Sequence, residues 1–238
     1  MKINTRPSAK PANLYAWALV LIAGSTLIVA SQSTRLMPVS KANLCVTEGS
    51  IEEMPGERLS VNVSKMRAYV NAYTQPVAQL RFTYLGSTPN EAPLASGEMR
   101  RQLGLKLRAQ DACNLVYAMW RIEPESKIVV SVKSNPQEHS SAQCGNRGYQ
   151  NIKPQRSWPV LALNPGSTHT LHAEMNGAEM KVFADNSLAW EGSVGPGALR
   201  FDGPVGMRSD NARLQIEFAA GQVTKSGSSP GCRGAESE

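Results

Sequence analysis

From residue 58 onward, the apolar residues of this chain fall on every second position. Leu59, Val61 and Val63 do so, then Leu80, Phe82 and Tyr84, then Leu103, Leu105 and Leu107, and then Ile128, Val130 and Val132. The same spacing returns at Leu171, Ala173 and Met175, at Met180, Val182 and Ala184, and at Leu214, Ile216 and Phe218. Polar residues such as Arg81, Lys106, Arg108 and Gln215 fill the alternate positions. Side chains of an extended chain point alternately to opposite faces, so the pattern predicts strands with one face on a core. The run from Leu115 to Ile122 is apolar at both parities and predicts a central strand.

Turn chemistry agrees. Asn176-Gly177 lies between two alternating runs and predicts a type I′ hairpin, and Asp185-Asn186 predicts a second tight turn. Prolines at 89, 93, 124, 136, 154, 165 and 196 punctuate the rest, and no stretch after residue 31 has a sustained 3.6-residue period. About ten short strands with such punctuation predict an all-β fold, an antiparallel two-sheet jelly-roll sandwich preceded by one N-terminal apolar helix. The expected organisation is a signal or anchor over 1–30, a linker or edge strand over 31–57, the sandwich over 58–219 and a disordered tail over 220–238.

Charge changes the picture less than its total suggests. The formal charge of the 238 residues is +6, but Lys2, Arg6 and Lys10 precede residues 14–30, an uncharged apolar run. Without those three, 22 basic residues face 19 acidic ones, an ordinary balance of +3 that gives no reason to expect nucleic acid. As a helix the run reaches roughly 25 Å, between a signal peptide and a full membrane span. Either reading places the rest of the chain outside the cytoplasm, in the cell envelope, membrane-anchored or secreted. In that compartment Cys45, Cys113, Cys144 and Cys232 can form disulfides, and Cys113 with Cys144 is the expected pair because both lie within the patterned region.

The C-terminal third carries a resemblance. It reads His169 to Glu174, Asn176-Gly177, Lys181 to Asn186, Leu188-Ala189-Trp190, and a closing Gly203-Pro204-Val205-Gly206-Met207-Arg208-Ser209-Asp210. This resembles the end of the concanavalin A-like lectin/glucanase superfamily, the laminin-G-like jelly rolls. The likeness implies the sandwich and is nearly silent on function, since the fold hosts lectins, hydrolases, lyases and adhesion modules. A weaker resemblance, of Ser96 to Arg101 and Leu115 to Ile122, is to jelly-roll alginate lyases. Carried over by position, Arg100 matches their carboxylate-neutralising arginine. Met119 and Arg121 stand where those enzymes have Gln and His, and no Tyr lies in the closing strand. The resemblance therefore implies a cationic groove without the proton-transfer set, and no catalytic residue is assigned. The Glu-x-Asp-x-x-Glu run of the superfamily's glucanases is also missing.

The candidate chemistry is that of glycan binding, by cations for an acidic polymer or by aromatic rings for a neutral one. The expected ligand-binding residues are Arg100, Trp120 and Arg121 on the concave face, with Arg147, Tyr149 and Trp158 at the rim, in the long polar stretch Ser134 to Ser157 or next to it. Trp120 and Arg121 must point to opposite faces. Val116, Ala118 and Ile122 share the Trp120 face, which favours Trp120 in the core and Arg121 with Arg100 as an anion clamp. His139, His169 and His172 are scattered, there is no C-x-x-C pair, and neither a metal nor a cofactor is expected. The expected function is an exported or membrane-anchored, non-catalytic module binding glycan or another surface polymer. The alternatives are a divergent polysaccharide lyase or glycoside hydrolase and a structural, protein-interaction domain.

Overall fold

The computed structural model describes residues 1–3, 35–224 and 232. The chain divides into Met1–Ser33 and a compact unit, Thr34–Glu238, to which everything below refers. The apolar run 14–30 lies outside the described residues; among those, no helix is long and apolar enough to cross a membrane.

In chain order the strands begin with β1 (Leu36–Pro38), β2 (Leu44–Glu48), β3 (Glu52–Met54), β4 (Arg58–Val61) and β5 (Lys65–Val70). They continue with β6 (Val77–Ser87), β7 (Arg101–Leu107), β8 (Leu115–Glu123) and β9 (Lys127–Lys133). After the one-turn helix α1 (Ser141–Cys144) come β10 (Tyr149–Asn151), β11 (Arg156–Ser157), β12 (Thr168–Asn176) and β13 (Glu179–Ala184). The last are β14 (Ser187–Ser193), β15 (Gly206–Asp210) and β16 (Ala212–Gly221). Residues 31–57, expected as a linker or edge strand, thus contribute three strands. Past 219, Val223 bridges to Thr74, Cys232 is disulfide-bonded to Cys45, and most of the expected tail lies outside the described residues.

Two antiparallel sheets form the sandwich. One runs β11-β14-β13-β12-β6-β16-β4-β3, with β1 also on β16; the other runs β10-β9-β8-β7-β15-β5-β2. The alternation decides which side of each strand enters the space between them. From the seven-stranded sheet come Met66, Ala68, Leu103, Leu105, Leu107, Val116, Ala118, Trp120, Val130 and Met207. Leu59, Leu80, Phe82, Leu171, Val182, Leu214 and Ile216 meet them from the other sheet. Trp120 sits edge-on to Phe82 with ring centroids 5.8 Å apart, and its indole N–H donates to Ser126 Oγ at 3.1 Å. The doubly apolar β8 is interior to its sheet, as its sequence predicts.

One turn differs in type. Asn176 pairs with Glu179, so the two-residue loop is Gly177-Ala178, and only Gly177 has positive φ, at 58°. That fits a II′ turn, with Gly first, rather than the expected I′. The I′ pattern falls instead at Asp185-Asn186, where φ is 49° and 63°.

Candidate functional site: a cationic cleft on the seven-stranded sheet

The face of the seven-stranded sheet that looks away from the core carries a cleft of about 1790 Å³, lined by residues of every strand from β2 to β10 in that sheet's order. Antiparallel registry builds its floor in rows. Arg67 on β5 lies beside Arg208 on β15, which lies beside Gly104 on β7 and Met119 on β8. The next row holds Tyr69, Gly206, Lys106 and Tyr117. These are the alternate positions of strands whose other face is the core, so core packing fixes which side chains reach the floor.

Asp210 organises the centre. It has no solvent exposure and accepts hydrogen bonds from Arg67 at 2.6 Å, Gln102 at 2.7 Å and Arg208 Nε at 2.9 Å. Burial penalises its charged form, but Arg208, Arg67 and the Gln102 amide outweigh that and hold its pKa down to about 2. Arg208 then reaches across β7. Its guanidinium carbon lies 5.2 Å from the centre of the Tyr117 ring, and its Nη1 donates to the Tyr149 hydroxyl at 3.1 Å. Tyr117 and Tyr149 stack with centroids 5.9 Å apart, and the Lys133 ammonium lies 5.0 Å over Tyr149. Burial raises the pKa of Tyr117, whereas for Tyr149 the charges of Arg208 and Lys133 overcome burial and lower it.

Lys106 lies on this floor, 6 % exposed. Burial first, then the charges of Arg67 and Arg208, lower its pKa to about 7. No hydrogen-bond partner for its ammonium occurs among the described residues. Lys133 differs: its ammonium donates to the carbonyls of Ala112 at 3.2 Å and Gly145 at 2.8 Å. Those carbonyls adjoin Cys113 and Cys144, which form the expected disulfide. The bond pins the loop of α1 to the start of β8, and Asn114 fastens the same loop through the carbonyls of Asn135 and Glu138. Across the cleft, Asn211 holds the segment leading into β7 through both backbone groups of Ala92 and the Arg100 carbonyl.

The structure brings together three of the six expected ligand-binding residues. Arg100, Arg121 and Tyr149 all line the cleft. Arg100 pairs with Glu98, while Arg121 Nε has no hydrogen-bond partner among the described residues. Burial, and then the charge of Arg100, lower the pKa of Arg121. The other three lie elsewhere. Trp120 is fully buried between the sheets, so its ring is not available to a sugar. Arg147 pairs with Glu138 and the Gln143 carbonyl on the outer side of the α1 loop. Trp158 lines a separate groove with Lys127, Ile152, Pro154 and Trp190, where the rims of the two sheets meet. Sequence reasoning missed Arg67, Lys106 and Tyr117. Their signal is the polar or mixed parity of strands with an apolar opposite face, which Lys106 shows.

The chain matches no protein-family model and no curated protein sequence. Solved structures of similar outline include the carbohydrate-binding module CBM66 from Bacillus subtilis, with 13 % identity over 73 % of this chain and 91 % of that one and a TM-score of 0.48. The carbohydrate recognition domain of Emp46p in metal-free form gives 8 % identity over 75 % and 88 %, with a TM-score of 0.48. The Crh5 transglycosylase in complex with NAG gives 10 % over 80 % and 84 %, with a TM-score of 0.47. Likenesses at these values say nothing about a ligand for this chain.

Proposed function

We propose that this domain binds an acidic polysaccharide, one bearing carboxylate or sulfate groups, in the cleft of the seven-stranded sheet, without transforming it. The observation that carries this reading is the charge of the cleft. Seven cations, Lys65, Arg67, Arg100, Lys106, Arg121, Lys133 and Arg208, line it against the carboxylates of Glu48, Glu98 and Asp111 and that of Asp210, buried against Arg67 and Arg208. Cations concentrated in a walled cleft attract anions far more strongly than the same charges spread over a surface. The stacked Tyr117–Tyr149 pair supplies an aromatic surface beside them, suited to the apolar face of a sugar ring. Seven strands at about 4.8 Å spacing make the floor about 29 Å wide, which suits a polymer better than a monosaccharide.

The export reading belongs to the same proposal. Residues 14–30 direct the chain across a membrane, as a cleaved signal or an anchor, and two disulfides support a domain working in an oxidising compartment outside the cytoplasm.

Affinity electrophoresis and calorimetry against polygalacturonate, alginate and chondroitin sulfate, with dextran as the neutral control, test the function. Binding to at least one acidic polymer, weakened by salt, is expected. Equal affinity for dextran, or no binding to any acidic polymer, overturns it. Unsaturated or new reducing ends in the same incubations would make the protein an enzyme instead.

A further inference from the structure

Lys106 is a buried ammonium of the cleft floor, and among the described residues its donors are uncommitted. Arg67 gives its N–H groups to Asp210 and to the Met66 and Ser209 carbonyls. Arg208 serves Asp210 and Tyr149, and Lys133 holds two loop carbonyls. The cross-strand neighbours of Lys106 are Gly206, which has no side chain, and Tyr117. Gly206 cannot be replaced cheaply, since a Cβ there would meet the Ala68 carbonyl oxygen at 2.2 Å. The position opposite Lys106 is thereby kept free of any residue that could neutralise it. With little solvent left around it, this ammonium gains from any anionic acceptor that enters the cleft.

We propose that Lys106, between Arg67 and Arg208, is the subsite that takes one fixed anionic group of the ligand, and that filling it loads a proton onto the lysine. This rests on the acidic-polymer reading of the cleft. The charged and titratable groups around Lys106 are Arg67 and Tyr69 on β5, Arg208 and Asp210 on β15, Tyr117 on β8, Lys133 on β9, Tyr149 on β10 and Glu48 on β2. Besides burial, Arg67, Arg208 and Lys133 all oppose the ammonium, and only Glu48 favours it among the strongest influences. Near neutral pH the lysine is therefore only partly protonated. An arriving carboxylate or sulfate reverses the balance and draws a proton from solvent. The sign follows from linkage: the bound state has the higher lysine pKa, so affinity is full below pH 7. It falls by up to about tenfold per pH unit above that, until the bound-state pKa is reached.

Calorimetry of the full chain at pH 8 with oligogalacturonate, whose anionic groups are carboxylates, and separately with carrageenan, whose anionic groups are sulfates, reads this directly. Repeating each titration in HEPES and in Tris, whose ionisation heats differ, gives the proton count. Uptake of about one proton is expected on binding, with the effective polymer showing whether the subsite takes carboxylate or sulfate. Lys106→Arg should keep binding and lose the uptake, because an arginine stays protonated. Tyr149→Phe should keep the uptake, which excludes the tyrosine as its source. Binding without uptake, or undiminished uptake in Lys106→Arg, overturns the assignment and leaves the cleft reading standing. No binding of either polymer, nor of alginate or chondroitin sulfate, overturns both.

Discussion

His169 Nδ1 lies 2.7 Å from Asp185 Oδ2, joining the start of β12 to the turn between β13 and β14. On its other side His169 Nε2 lies 2.9 Å from Ser167 Oγ. The order Ser, His, Asp has the form of a nucleophile relay, but the Ser167 hydroxyl also lies 2.5 Å from the Asn164 carbonyl, to which it donates. The imidazole itself packs against Phe82 and Trp120. Asp185 further accepts from the Thr170 amide at 2.8 Å. This is a brace that fixes the type I′ turn onto the neighbouring strand.

Asp185→Asn and His169→Ala should each cost about 1–3 kcal/mol in urea unfolding, the range for a broken, partly buried hydrogen bond. Neither should change binding in the cleft. Labelling of Ser167 by a fluorophosphonate would contradict the brace and show an activated hydroxyl.

Asp210 ties acid stability to the site. Its pKa is depressed in the folded state, to about 2 from 3.8, so its contribution is present above pH 4 and lost as pH falls towards 2. The size is on the order of 2 kcal/mol. Stability measured from pH 6 to pH 2 should drop more steeply for the native chain than for Asp210→Asn. At pH 7 the same variant should be less stable by about 3–5 kcal/mol, because Arg67 and Arg208 lose their buried counter-charge.

Reduction should loosen the cleft wall before it unfolds the sandwich. Cys113 and Cys144 are 31 residues apart, and loop closure assigns a bond of that span about 3–4 kcal/mol. Cys113→Ser with Cys144→Ser should lower the melting temperature and weaken polymer binding, since Lys133 and the α1 loop hang on that bond. Two free thiols, found by non-reducing peptide mapping, would contradict the pairing.

Arg100→Ala with Arg121→Ala should remove most of the affinity for an acidic polysaccharide while leaving the melting temperature nearly unchanged. Trp158→Ala should leave binding intact, because its groove lies apart from the cleft. A large loss of stability in the double variant would show that these arginines support the sheet.

Alternation made the strands and the two faces of β8 readable. It separated Trp120 from Arg121, and the apolar company of Trp120 placed it inward. The same rule said that Lys106 faces away from the core, but not what stands over it. That depends on β5 and β15, far away in sequence, which bring Arg67 and Arg208 beside it. Arg147 and Trp158 were misplaced for a related reason. The course of the chain at Arg147 is set by Asn135 and the second cysteine of the disulfide, and at Trp158 by the pairing of β11 with β14, none of which leaves a periodic mark. The turn at Gly177 shows the limit at short range: Asn-Gly signals a hairpin, and the pairing of Asn176 with Glu179 decides which residues form its loop.

The bond between Cys45 and Cys232 spans 187 residues and encloses nearly the whole sandwich in one covalent ring. Of the strands, only β1 lies on the chain ahead of it, held to β16 by three residue pairs. A pull on the chain from that side can peel β1 and then meets Cys45. There the load divides, one branch entering the seven-stranded sheet through β2, the other passing by Cys232 to β16 and the nine-stranded sheet. Tension entering there is thus shared by both layers through bonds that do not unzip, and the two sheets are loaded together instead of being sheared apart.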